Sequence, residues 1–441
     1  MNELEEGFRE LARRTFAHLS DPEVLLLNLE AEDSDFVRIN GARIRQAGQV
    51  RQRWLHLEFI RDRRSACVRL PLTGDAGADA ALVRTQLTRL RELLPHLPKD
   101  PYLHFATEPR DTRHEGENRL PPAEAAVSQW LEAARGLDLT GHWCSGQMVR
   151  AFASSLGQFN WHSDFSFNAD WSVHGSVDQA VKQSHAGFRF DAGLVERRME
   201  EARETLSLLA RKPRTLTPGR HRVYLAPAAL HELMELLAWV GFGLKSHRTA
   251  QTPLIRMVRE GHKLDPQVTL TEEHAAGLAP RFTPSGFVKP ERVTLIKGGR
   301  YGQCLTSARS AREYDVPVNS AVERAESLNM AAGDLPVDDV PGALGTGLLI
   351  SNLWYCNYSD RNHCRITGMT RYACLWVEDG RAVAPVNVMR FDDSLFHVLG
   401  DRLEALTRER EHILGNATYE RRCQTSARLP GVLVDGFTFT L

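Results

Sequence analysis

The spacing of apolar residues along this chain changes several times, and each change marks an element. Over residues 3–19, Leu4, Phe8, Leu11, Phe16 and Leu19 fall on or near one stripe, which predicts a helix. The runs "EVLLLNL" and "DFVRI" then read as strands, with Asn40-Gly41 as a hairpin signal. "RWLHLEFI" and "ACVRLPL" flank the turn "RDRRS". Helical spacing returns over 77–96 through Leu82, Leu87, Leu90, Leu93 and Leu94. A helix lying on an antiparallel sheet makes an α+β unit.

The segment "TEPRDTRHEGENRLPP" (107–122) is polar, closes on two prolines and reads as a loop. The helix "PAEAAVSQWLEAARGL" follows it. Between about 138 and 190 the pattern is strand-like. Within it, "FNWHSDFSFNADWSVHG" (159–175) alternates aromatics with Ser and Asp. Such a stretch can stack nucleic-acid bases, but a strand pair with one apolar face explains the alternation without them. A long helix, "GLVERRMEEARETLSLLARK", spans 193–212. Pro213, Pro218 and Gly219 then mark a boundary, which divides the chain into an N-terminal α+β domain (1–215) and a β-rich C-terminal domain (216–441).

The second half opens on a helix containing "LHELMELLAWVGFG" (230–243). It is apolar almost all round, so it belongs inside the domain or beneath a partner. "RVTLIKGGRYGQCLTS" and "RYACLWVEDGRAVAPVNV" read as hairpins turning at Gly298-Gly299 and Asp379-Gly380. "GTGLLISNLWY" is a buried strand, residues 393–413 look helical, and "GVLVDGFTFTL" closes the chain as a strand.

Composition narrows the function more than the fold. With 441 residues, two domains are the default. Net charge is -1, from 55 basic and 56 acidic residues, so nothing points to DNA or an anionic membrane as a partner bound through bulk charge. No apolar run approaches the ~20 residues that span a bilayer. The acid-rich start is not a secretory signal, and a cytoplasmic location is expected. Cys67, Cys144, Cys304, Cys356, Cys364, Cys374 and Cys423 are scattered and odd in number, against a disulfide framework or a zinc ribbon. "CNYSDRNHC" gathers Cys356, Asp360, His363 and Cys364, a mixed set of metal-binding types whose spacing matches no zinc motif. There is no G-x-S-x-G elbow, and "GALGTGLL" lacks the Lys-Ser/Thr of a phosphate loop.

In order and spacing, "RVTLIKGGRYGQCLTSARSAR", "GTGLLISNLWY" and "GMTRYACLWVEDGRAVAPV" resemble the TldD/PmbA family of metallopeptidases. The junction "GLVERRMEEARETLSLLARKP" then "GRHRVYLAP" is similar too, as is the helix–meander–helix order of the first half. The resemblance implies an α+β first domain, a barrel-like second domain and a dimer enclosing a chamber for unfolded peptides. In that family the TldD-like subunit binds zinc through an H-E-x-x-x-H helix and a late Cys. The TldE-like (PmbA) subunit lacks that motif and acts as partner. Placed on this pattern, His231-Glu232 fall at the family's His-Glu, Leu236 at the second His, and Cys423 at the late Cys. Leucine binds no metal.

Two expectations follow. The chain is a TldE-like partner, with zinc on a TldD-like subunit in a heterodimer. Alternatively it is itself a zinc peptidase, alone or as a homodimer, using His231, Glu235 and Cys423 as ligands and Glu232 as base. His231 and Glu235 lie at i and i+4, on one helix face, and three protein ligands with one open position suit hydrolysis. A simpler role for the same pair is to satisfy each other. In this family the loop after "GTGLLISNLWY" lies near the chamber, which makes peptide contact the better role for "CNYSDRNHC".

Overall fold

The structure, a computed structural model, describes residues 3–176 and 179–441. Two sheets carry the fold. The first holds β1 (Val24–Asn40), β2 (Arg43–Arg61), β3 (Arg64–Pro71), β4 (Thr112–Glu115), β5 (Asp138–Ser154), β6 (Phe159–His174) and β7 (Ala180–Gly187). Their order is β3-β2-β1-β5-β6-β4, with β7 also on β6. "EVLLLNL" and "DFVRI" form one strand rather than two, because the polar residues between them keep the alternation and pair with β2 throughout. The turn falls at Gly41-Ala42, one residue beyond the expected dipeptide, with φ of 58° and 53°. The polar loop after residue 107 contains β4, a strand with no apolar alternation to announce it.

Parity along the strands builds two unlike faces. Leu25, Leu27 and Leu29 of β1 join Leu55, Leu57 and Phe59 of β2 under α1 (Glu3–Phe16) and α2 (Ala76–Leu93). Further along, Trp143, Phe167 and Trp171 are covered by α3 (Ala123–Ala133) and α4 (Ala192–Leu209). Each such side chain taken from water contributes about 1.5–3 kcal/mol. The alternate residues, Asn28, Glu30, Glu32 and Ser34 of β1 with Asn160, His162, Asp164 and Ser166 of β6, are polar. Segments of the second half lie over them. Asn28 donates to the Pro284 carbonyl at 3.0 Å, and Gln158 to that of Gly286 at 2.6 Å. Arg422, buried, donates to Ser166 O at 2.8 Å and Oγ at 2.7 Å, to Gly146 O at 3.2 Å and to Ser34 Oγ at 3.3 Å.

The second sheet contains β8 (Gly219–Leu225), β9 (Leu270–Glu273), β10 (Arg292–Lys297), β11 (Arg300–Tyr301), β12 (Ser327–Met330), β13 (Gly347–Asp360), β14 (Arg365–Glu378), β15 (Arg381–Pro385), β16 (Arg390–Ser394), β17 (Leu403–Leu414) and β18 (Ser426–Phe439). β8 pairs with both β13 and β18, so β8-β13-β14-β16-β18 closes into a ring, the barrel-like element of an α+β fold. The hairpins at Gly298-Gly299 and Asp379-Gly380 are present, and all four turn residues have positive φ. The helix α5 (Pro227–Val240) packs Leu230, Leu233, Met234 and Leu237 against β13 and β18.

Residues 393–413 are not the long helix their spacing suggests. Only a turn over 395–401 is helical, and Gly400 breaks it. The rest is the end of β16 and β17, because the apolar strand β18 takes β17 as its ladder partner. Pairing across the sheet overrides local helical preference here. No helix among the described residues is long and apolar enough to cross a membrane.

Candidate functional site

Helix α5 carries the sequence motif, and the helix geometry separates its members. His231 and Glu235 line a small cavity of about 30 Å³, enough for one water, together with Arg324, Gly415 and Thr425. His231 Nε2 lies 3.9 Å from Glu235 Oε1, and Arg324 Nη2 lies 3.7 Å from the same oxygen. His231 Nδ1 is buried and has no hydrogen-bond partner. Burial lowers the pKa of His231; Glu235 opposes this shift and Arg324 adds to it. Neutral imidazole is therefore favoured.

Glu232 does not line that cavity. Burial, reinforced by Glu235, pushes its carboxyl up to about 7. It lies close enough to the Cys356 thiol of β13 to help burial push that group up to about 12. Leu236 packs against the apolar core of the second half.

Cys423 approaches from the other side of Gly415 and Thr425. Its Sγ is 3.0 Å from Thr425 Oγ1, and a Cβ placed at Gly415 would meet that sulfur at 2.7 Å. The fold thus brings the helix motif and the late cysteine to opposite sides of one backbone pair. Among the described residues, His231, Glu235 and Cys423 do not converge within 4.8 Å.

Zinc, implied by the family, meets a donor set here that departs from a hydrolytic site in three ways. Leucine stands at the second helix position. A guanidinium, that of Arg324, lies 3.7 Å from the Glu235 carboxylate. The proposed base faces elsewhere. No reaction step is derived through a metal on α5.

Cys423 instead lines a cavity of about 670 Å³ between the polar face of the first sheet and the segments 279–284 and 417–425. Its walls carry charge of both signs, including Glu30, Glu58, Arg150 and Arg421. Arg421 Nη1 lies 2.6 Å from Glu30 Oε2. Burial alone would raise the Glu30 carboxyl, but His56, Arg150 and Arg421 outweigh it and hold the group at about 2. Such a cavity can hold extended backbone against fixed charges.

The other sequence candidate disperses. Cys364 is fully buried, with its thiol pushed up to about 12, while Asp360 and His363 pair with each other in solvent at 2.7 Å. Two groupings that the sequence reading missed do converge: Glu272, His274 and Glu326; and His114, His162 and Asp164. The first has both carboxylates already partnered. Buried Lys289 contacts Glu326 at 3.0 Å, and Glu272 accepts the backbone N–H groups of Glu326 and Ser327. The second depends on β4, and only the alternation His162-Ser163-Asp164 within a strand hinted at it.

These features define an α+β protein of two sheets, one carrying a closed five-strand ring, with a charged cavity between them. The pattern described as the PmbA/TldA metallopeptidase C-terminal domain matches residues 218–441, and the chain belongs to that TldD/PmbA family. Its fold is similar to TldE from Thermococcus kodakarensis, with a TM-score of 0.78 and 15% identity over 99% of this chain and 100% of that one. It is also similar to a protein from Thermotoga maritima named as a candidate modulator of DNA gyrase, with a TM-score of 0.75 and 14% identity over 98% of this chain and 100% of that one. A Bacteroides thetaiotaomicron protein of like description gives a TM-score of 0.73 and 14% identity over 100% and 99% of the two chains. No curated protein matches the sequence.

Proposed function

We propose that this chain is the non-catalytic, TldE-like subunit of a TldD/TldE-type metal-dependent peptidase acting on unfolded peptides. Zinc would sit on a TldD-like partner. The observation that carries this reading is Arg324 beside Glu235, in a water-sized cavity with His231, on a helix that has Leu236 at the second ligand position. A cation beside Glu235 competes with a metal for that carboxylate. The likeness to an archaeal TldE supports the same reading. In this account residues 1–215 and 216–441 are the two domains, and the cavity between the sheets supplies peptide contacts. The location is cytoplasmic.

Co-expression with a TldD-like subunit tests it. A stable complex is expected, whose peptidase activity needs both chains and survives His231→Ala and Glu232→Gln here. If the chain elutes alone and no peptidase depends on it, the reading fails.

The second reading, a self-sufficient zinc peptidase, draws on the unpartnered His231 Nδ1 and on Cys423 across Gly415. It requires Arg324 to withdraw and Cys423 to turn. Zinc bound by the isolated chain and lost on His231→Ala or Cys423→Ser would favour it. So would peptidase activity lost on Glu232→Gln. A homodimer of the isolated chain would fit this assembly, whereas the heterodimer fits the first.

A further inference from the structure

We propose that His114, His162 and Asp164 form a divalent transition-metal site of the zinc class on the polar face of the first sheet, separate from the family motif. The two strands set the geometry. β4 runs parallel to β6, with His114 opposite His162, and Asp164 follows His162 by two residues on the same face. Three donors therefore project from two hydrogen-bonded strands, a more rigid base than a loop.

The distances are those of a site nearly closed. His114 Nε2 lies 3.0 Å from Asp164 Oδ1, and His162 Nε2 lies 3.1 Å from Asp164 Oδ2. Zinc bonds of about 2.0–2.2 Å in a tetrahedron place neighbouring donors about 3.3–3.5 Å apart. The rings lie 4.8 Å apart and 23° from parallel. His114 has half its side chain exposed and is the ring free to tilt, while His162 and Asp164 are fixed by burial. A Cβ at Gly116 would strike Asp164 Oδ1 at 2.2 Å, so the chain after β4 leaves room for the carboxylate because that residue is glycine.

Chemistry agrees with geometry. Two imidazoles and one carboxylate suit zinc and its neighbours far better than magnesium or calcium, which take oxygen. His162 Nε2 lies 3.1 Å from both Asp164 Oδ2 and the Leu278 carbonyl, and its Nδ1 is buried without a partner. The basic group acting on His114 is Arg281, which lies 3.3 Å from Glu291 rather than in a bond to Asp164. Among the described residues, no guanidinium pairs with Asp164 in the way that Arg324 approaches Glu235. Three protein ligands leave a fourth position on the exposed His114 side for water. The metal would clip the four-residue edge strand β4 to the sheet.

The experiment is a titration of chelator-treated full-length chain with Zn²⁺ by calorimetry, and with Co²⁺ by visible absorption. About one equivalent is expected. His114→Ala, at an exposed position that does not threaten folding, should weaken binding tenfold or more. Asp164→Asn should weaken it about a hundredfold. His231→Ala and Cys423→Ser should leave it unchanged. Absence of binding by the wild-type chain would overturn the proposal, as would binding indifferent to His114→Ala or lost on His231→Ala instead. The outcome is independent of whether the chain needs a TldD-like partner.

Discussion

Two histidine-bearing regions of this protein differ in an instructive way. The α5 region has the sequence of a metal site, yet an arginine sits against its carboxylate and its third candidate ligand lies across a backbone pair. The β4–β6 region has no motif, yet two imidazoles meet there within hydrogen-bonding distance of one buried carboxylate. A motif records what a helix can present. Convergence depends on what the rest of the chain places opposite.

The largest effect should come from the segment that carries Cys423. Arg422 anchors it to the first sheet through four hydrogen bonds. Arg422→Ala leaves several buried acceptors unpaired and should cost about 3 kcal/mol, read as a lower urea midpoint. A loss below about 1 kcal/mol would mean the segment is held by other contacts.

Next, the two histidines should separate in chelated protein. His162→Ala removes a partner of buried Asp164 and should cost about 2 kcal/mol. His231 has only a 3.9 Å contact to Glu235, so His231→Ala should cost about 1 kcal/mol or less. Equal losses in denaturation would erase the distinction.

A third test uses pH. The Glu232 carboxyl is raised from 4.5 to about 7 by burial, so the folded state holds more protons than the unfolded state between those values. Stability contributed by the neutral form is present below about 4.5 and falls as pH rises through about 7. Glu232→Gln should therefore stabilise the protein at pH 8 by about 1–2 kcal/mol and change little at acidic pH. A gain of the same size at both ends would place its cause outside this titration.

The smallest effect concerns Arg324. Its pair with Glu235 is half exposed, so Arg324→Ala should change stability by less than about 1 kcal/mol. It should nonetheless move the His231 titration upward in NMR, because the guanidinium is one cause of its depression. An unmoved titration would remove Arg324 from the electrostatics of this cavity.

Local patterns already specified much of the molecule. Stripes of Leu and Phe at helical spacing gave α1 and α2, because a helix buries residues three and four apart together. Gly298-Gly299 and Asp379-Gly380 marked turns, because few residues accept positive φ at low cost. The alternation in "EVLLLNL" through "DFVRI" carried both faces of β1, including the polar one over which the cavity lies. His231, Glu232 and Leu236 were likewise readable as a broken motif. What only the tertiary structure decided are the meetings between distant segments. β17 became a strand because β18 needed a partner. Arg324 reached Glu235, Cys423 stopped on the far side of Gly415, and β4 brought His114 beside His162. Each depends on pairing between residues tens to hundreds of positions apart. Local propensity sets no register between such segments, and only the burial of shared surfaces in the folded chain fixes it.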